Sequence, residues 1–343
     1  MQIQNQRYSI CKYIISRTLT GRINKQYVTP SQLYSSELMK DIKSTSYKLH
    51  NSHLQIGNKK IISIIDQIKQ NNISIINIED KINSSVFFRE LLTLFEQGFG
   101  IEKKKDKFEE DGKTIHEMRL DTLPTLQKEW SRNGLSELHA HSEDSYDPYG
   151  VDVFAVFFLK NDIQLPLKLT PAKECIQLLL NSHPDTQFQN EFDLKIKSVD
   201  SKAQEFWKYL TVQEKLNCLS QINFKHQSGY NVNNRQQIER PFLFVDNLNE
   251  LKSNWNCNEN RTIPIDTSLR SRYTWTMIQH SIMLASQQKA ISLTDSNKIV
   301  IFPNHLFFHG RNKASEDQIE ILKSGAERIL VRSKLQLPIS FKK

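Results

Sequence analysis

The chain has 343 residues, 38% of them hydrophobic and 24% charged, with 18 Phe and 10 Tyr; it can build a substantial core and is not a disordered chain. The formal net charge of +8 sits entirely in residues 1–60, where ten Lys or Arg face only Glu37 and Asp41. The rest is balanced and offers no broad basic surface for nucleic acid, and no apolar run approaches the roughly 18 residues of a membrane-spanning helix.

Cys11, Cys175, Cys218 and Cys257 are isolated, with no CxxC among them. That argues against a disulfide scaffold or a structural zinc site and for a reducing, cytoplasmic setting. Residues 1–36 contain no acid but several basic residues and many Ser and Thr. They read as a solvated arm, with organelle import as the alternative.

In chain order, residues 1–57 are polar with short apolar clusters and read as a loosely helical arm. Ile61, Ile62, Ile64, Ile65 and Ile68 recur at helical spacing and predict a helix from Lys59 to about Gln70. Ile73 to Ile78 is β-branched and predicts a strand. A helix follows over Val86 to Gln97, introduced by Ser84-Ser85 and ended by Gly98 and Gly100. Residues 103–113 read as a charged turn, residues 114–120 as a strand and residues 124–133 as a polar loop.

Val151 to Leu159 predicts a strand covered on both faces, and Leu165 to Leu169 a shorter one. Thr170 and Pro171 read as the cap and first turn of a helix reaching Leu180. Phe188 to Ile196 reads as a strand, and Ala203 to Tyr209 and Val212 to Leu219 as helices. The polar stretch 223–260 looks irregular except for Pro241 to Val245. A helix over Arg272 to Gln288 precedes strands at Lys298 to Phe302, Leu306 to Arg311 and Arg328 to Ser333. Together these describe one mainly β domain with helical insertions, over residues 61–343, preceded by the basic arm of residues 1–60.

The chemistry concentrates at Glu137-Leu138-His139-Ala140-His141-Ser142-Glu143-Asp144. Such a cluster admits zinc, iron, a catalytic base or a polar surface strand. In a strand, residues i and i+2 share a face, so His141 and Glu143 can grip one metal side by side. With a distant histidine they form the facial set of non-haem Fe(II) oxygenases, which leaves coordination positions open. His309, in Phe308-His309-Gly310-Arg311, is the candidate third ligand.

The segment HSEDSYDPYGVDVFAVFFLKND resembles the metal-binding strand of clavaminate synthase-like, TauD/TfdA-group Fe(II)/2-oxoglutarate oxygenases. SNKIVIFPNHLFFHGRN is similar to the block that carries their distal histidine, with Asn304 and His309 at matching places. Arg328-Ile329-Leu330-Val331-Arg332 is similar to their basic strand. This resemblance implies a double-stranded β-helix, or jelly roll, and an Fe(II)/2-oxoglutarate-dependent dioxygenase that also uses O2. Its implied substrate is small and amino-acid-like, free or carrier-tethered, and is hydroxylated at an unactivated carbon.

Residue by residue, the resemblance implies metal ligation by His141, Glu143 and His309. It implies that Arg328 grips the far carboxylate of 2-oxoglutarate, with Arg332 in reserve, and that Thr170 donates a hydroxyl to it. Asp144 and Tyr146 are candidate substrate contacts, and Arg311 a structural residue. His305 stands where the family has Arg, Ser296-Asn297 where it has Gly-Asp, and the gap from His309 to Arg328 is longer. The alternatives are a cupin-like metal site using His139 and His141, a jelly roll that has lost activity, and a basic nucleic-acid binder.

Overall fold

Two nine-residue strands, Val153–Asn161 and Arg328–Gln336, are buried along nearly their whole length, as strands covered on both faces must be. The computed structural model describes residues 27–79, 84–105, 113–120, 134–147, 150–181, 201–228, 237–258 and 261–342, and in it these two strands pair inside one large sheet. Numbered along the chain, the first strands are β1 (Ser44–Leu49), β2 (Ile73–Ile78), β3 (Glu102–Lys104), β4 (Ile115–Arg119), β5 (Leu138–His141) and β6 (Val153–Asn161). Next come β7 (Leu167–Pro171), β8 (Phe224–Gln227), β9 (Gln237–Arg240), β10 (Leu243–Val245) and β11 (Leu251–Ser253). The last are β12 (Thr262–Pro264), β13 (Ile291–Leu293), β14 (Lys298–Pro303), β15 (Phe307–Arg311) and β16 (Arg328–Gln336).

The large sheet runs β1-β2-β14-β6-β16-β3, with β4 also on the outer edge of β16; β1 and β2 are parallel. The small sheet runs β13-β7-β15-β5 and is antiparallel throughout. Alternation along each strand divides the core in two. Val153, Ala155 and Phe157 of β6 pack with Val331 of β16 under the helices Lys59–Lys69 and Ser84–Phe99. Phe154, Val156 and Phe158 face the other way, into a cluster shared with Phe302 of β14 and with Leu169 and Phe307 of the small sheet. Two facing sheets with helices outside make the jelly roll with helical insertions.

The helix Leu269–Gln288 and the shorter Ala172–Asn181, Ser201–Lys208 and Val212–Gln221 join that second cluster through Ile278, Leu179, Trp207 and Leu216. No helix of the described residues is long and apolar enough to cross a membrane.

Most expected elements are present, with ends shifted by a few residues. Ser44–Leu49, expected as loosely helical, is an edge strand instead. Its polar sequence hides the period of two because only one side meets the core. Among the described residues of 223–260, β10 answers the strand expected at Pro241 to Val245, while β8, β9 and β11 stand where irregular chain was expected; strands of three or four residues are too short to show a period. The turn expected over 103–113 begins with β3, and the helix Glu316–Lys323, capped by Ser315, was not anticipated. Thr170 and Pro171 belong to β7 rather than to the helix that starts at Ala172. The expected loop 124–133 and strand 188–196 lie outside the described residues.

Candidate metal centre

His141 ends β5, and its partner across the antiparallel pair with β15 is His309. Directly opposed residues share a face, and the two rings lie 4.3 Å apart between centroids. Gly310 permits this close pairing. A Cβ built on it would lie 2.6 Å from the Leu138 carbonyl oxygen and 3.1 Å from the Ala140 nitrogen. The register shifts between His309 and Arg311, so the strand bulges where the glycine sits.

Glu143 lies just beyond β5, and Asn304, in the turn between β14 and β15, holds its main chain. Glu143 N–H donates to Asn304 Oδ1 at 2.9 Å, and Asn304 Nδ2 donates to the Glu143 carbonyl at 3.1 Å. The Glu143 Oε2 atom thereby stands 3.9 Å from His141 Nε2 and 3.4 Å from His309 Nε2. The three ligand atoms all lie within 4.8 Å of one another, the single such metal-ligating cluster among the described residues.

Protonation suits ligation. His141 Nδ1 lies 2.8 Å from the His139 carbonyl, an acceptor that keeps the proton on Nδ1 and the lone pair on Nε2. Burial, with His309 alongside, pushes the His141 pKa down to about 3 against the pull of Glu143, so the ring is neutral at ordinary pH. Burial acts to raise the Glu143 carboxyl, but Arg332, Lys334 and His309 overcome it and hold the group well below the usual carboxylate range. His309 stacks on Phe154 at 4.9 Å and lies edge-on to Phe302. These aromatic walls keep bulk water from one side.

β16 supplies the cations. Arg328, Arg332 and Lys334 lie two or four residues apart, so they share a face, and they are only 4%, 5% and 2% exposed. Arg328 Nε donates to the Leu165 carbonyl at 3.3 Å, while its Nη2 is buried with no partner. Burial and the nearby Arg311 lower its pKa to about 9. An ionised, incompletely paired guanidinium inside a protein calls for an anion, and the far carboxylate of 2-oxoglutarate has the matching charge and shape. Arg328 sits four residues from Arg332, roughly 13 Å along the strand, so the anion would lie between Arg328 and the triad.

Other expected residues fall into place differently. Arg332 donates to Glu143 Oε1, so it is committed to the triad side. Thr170 pairs with Phe308 while Leu169 pairs with His309, which turns Thr170 to the face away from the imidazoles. Its hydroxyl is buried with no hydrogen-bond partner, Arg328 included. Asp144 and Tyr146 meet each other, with Tyr146 OH donating to Asp144 Oδ1 at 2.9 Å. Arg311 donates to the Ser136 carbonyl at 2.5 Å and to the Gly134 carbonyl, bracing the chain that enters β5. His305 points elsewhere, into a separate cavity lined also by Lys252 and Lys342. Lys334 escaped the sequence reading, although cations at alternate places in RILVRSKL were the available signal.

No family model matches the sequence, and no curated protein matches it. Solved structures do match in fold. The non-heme iron oxygenase OrfP, solved with Fe and alpha-ketoglutaric acid, has a TM-score of 0.53 at 13% identity over 87% of this chain and 95% of that one. A mutant of OrfP in complex with (3S)-hydroxy-L-Arg has a TM-score of 0.54 at 12% identity, over 86% and 95%. Asparagine oxygenase with Fe(II), 3-hydroxyasparagine and succinate has a TM-score of 0.52 at 10% identity, over 84% and 93%. At these identities the likeness shows a shared fold.

Proposed function

We propose that the protein is an Fe(II)- and 2-oxoglutarate-dependent dioxygenase that hydroxylates a small amino-acid-like molecule. The observation that carries the reading is the buried convergence of His141, Glu143 and His309 on one point. The donor set, two neutral imidazoles and one carboxylate, is the one that suits ferrous iron with positions left open. Arg328 adds a buried cation where a co-substrate carboxylate would dock. OrfP and asparagine oxygenase, solved with hydroxylated arginine and asparagine, support a free amino acid or a close derivative as the substrate class.

Iron and 2-oxoglutarate, with O2, supply the oxidising power that inserts oxygen into a C–H bond. The chain's own part is placement. His141 and His309 present Nε2, Glu143 presents Oε2, and Asn304 fixes the backbone from which Glu143 reaches inward. Arg328 sets the direction of the co-substrate, and Phe154 and Phe302 exclude water from the histidine side. Asp144 and Tyr146, beside the triad, remain the candidate substrate contacts. Cys175, Cys218 and Cys257 are free and buried, which supports a cytoplasmic setting.

The test is anaerobic addition of Fe(II) and 2-oxoglutarate, watching for the metal-to-ligand charge-transfer band. Succinate release with a panel of amino acids follows. His141→Ala and His309→Ala should abolish the band. Stoichiometric zinc with no response to 2-oxoglutarate would instead favour a cupin-like metal protein.

A further inference from the structure

We infer that Lys334 is a positioning residue that restricts Glu143 to metal binding through one oxygen; this rests on the reading of the site as an Fe(II)/2-oxoglutarate centre. The two carboxylate oxygens of Glu143 face different company. Oε2 looks toward His141 Nε2 and His309 Nε2, whereas Oε1 meets Arg332 and lies 3.2 Å from Lys334 Nζ. The same ammonium lies 2.7 Å from Asp144 Oδ1.

Successive side chains of an extended chain point to opposite sides, but residues 143 and 144 lie in the turn after β5, where one lysine can bridge both. Asp144 breaks the alternation with φ 49°, in the left-handed region. Its carboxylate is steadied by Tyr146 OH at 2.9 Å. Lys334 is fixed in turn, at 2% exposure, on the face of β16 that carries Arg332 and opposite Phe154 of β6. An ammonium has three donors and no acceptor, so it can share two carboxylates in a way a neutral side chain cannot.

The chemical consequence concerns which coordination positions stay open. A carboxylate can bind a metal through one oxygen or two, and a second oxygen from Glu143 would take a position needed by 2-oxoglutarate or O2. Arg332 and Lys334 occupy the lone pairs of Oε1 and prevent this. Lys334 supplies the second of these contacts on Oε1.

The test uses Co(II) in place of iron and compares the full-length wild type with Lys334→Gln and Lys334→Arg. With Co(II) alone, wild type and K334R should give the same visible d–d spectrum, while K334Q binds the metal with shifted bands, as exchange of a water for the second carboxylate oxygen alters the ligand field. The 2-oxoglutarate dissociation constant should rise about tenfold in K334Q, the worth of one charge-assisted hydrogen bond, and return in K334R. Lys334→Met serves if K334Q does not fold. A folded K334Q or K334M with the wild-type Co(II) spectrum overturns the inference, as does failure of both to fold, which would make Lys334 structural. A wild type that binds Co(II) but no 2-oxoglutarate overturns the proposed function instead.

Discussion

Asn304 satisfies both backbone polar groups of Glu143, accepting from its N–H at 2.9 Å and donating to its carbonyl at 3.1 Å. The residues are 161 positions apart, and Asn304 is itself anchored by its own N–H on the Asp152 carbonyl at 2.9 Å. A carboxylate just past a strand end, where ladder hydrogen bonds stop, is thereby held as firmly as one within the strand.

Asn304→Ala should therefore act on metal binding as well as on folding. It strands a buried N–H and a buried carbonyl, at a cost of about 2 kcal/mol or more. Urea unfolding should show that loss, and Fe(II) titration should show weaker affinity in the fraction that stays folded.

Gly310→Ala meets backbone atoms, not flexible side chains, at 2.6 and 3.1 Å. Neither can yield without moving β5 from β15, so the change should cost roughly 3 kcal/mol and part His141 from His309. Thermal melting measures the first effect, and loss of Co(II) binding the second.

Arg328→Met should separate stability from function. Replacing an incompletely paired buried cation by an apolar side chain of similar length should raise the melting temperature of the metal-free protein. Co(II) binding should persist, while 2-oxoglutarate affinity falls by roughly 100-fold, the worth of a bidentate charge-assisted contact. A variant that still binds 2-oxoglutarate like wild type would remove Arg328 from the site.

Part of the acid sensitivity should come from two histidines away from the candidate metal centre. Burial, reinforced by Arg240, lowers His226 to about 3, and burial lowers His280 to about 4. Both stay neutral in the fold while the unfolded chain takes up their protons below pH about 6.5. The unfolded state then binds more protons, so stability is full above pH 6.5 and declines below it. The slope is roughly 1.4 kcal/mol per pH unit per histidine, until pH nears 4. Urea midpoints between pH 7 and 4.5 check this, and His226→Gln should flatten the curve.

Much of the candidate metal centre was legible because it depends on short-range geometry. His141 and Glu143 stand two apart beside an apolar strand, and the Phe308-His309-Gly310-Arg311 block carries its histidine next to the glycine that lets β5 approach. The helices Lys59–Lys69 and Leu269–Gln288 and the central strands β6 and β14 were also readable, since long amphipathic or doubly buried runs announce their period. What escaped was either too short or too polar to show one. β1 meets the core along one side only, and β8, β9 and β11 have three or four residues each.

By itself, the sequence determined which residue types are available to hold a metal, the strand spacing that aligns two of them, and the alternation that splits β6 and β16 between two cores. Which distant groups act on them depends on how the sheets pair and pack. That Arg332 and Lys334 crowd one oxygen of Glu143, that Asn304 fixes its backbone, and that Thr170 faces away follow from register between strands far apart in the chain. Register is set by the packing of the whole sheet, and a shift of one residue would turn each of those side chains to the opposite face.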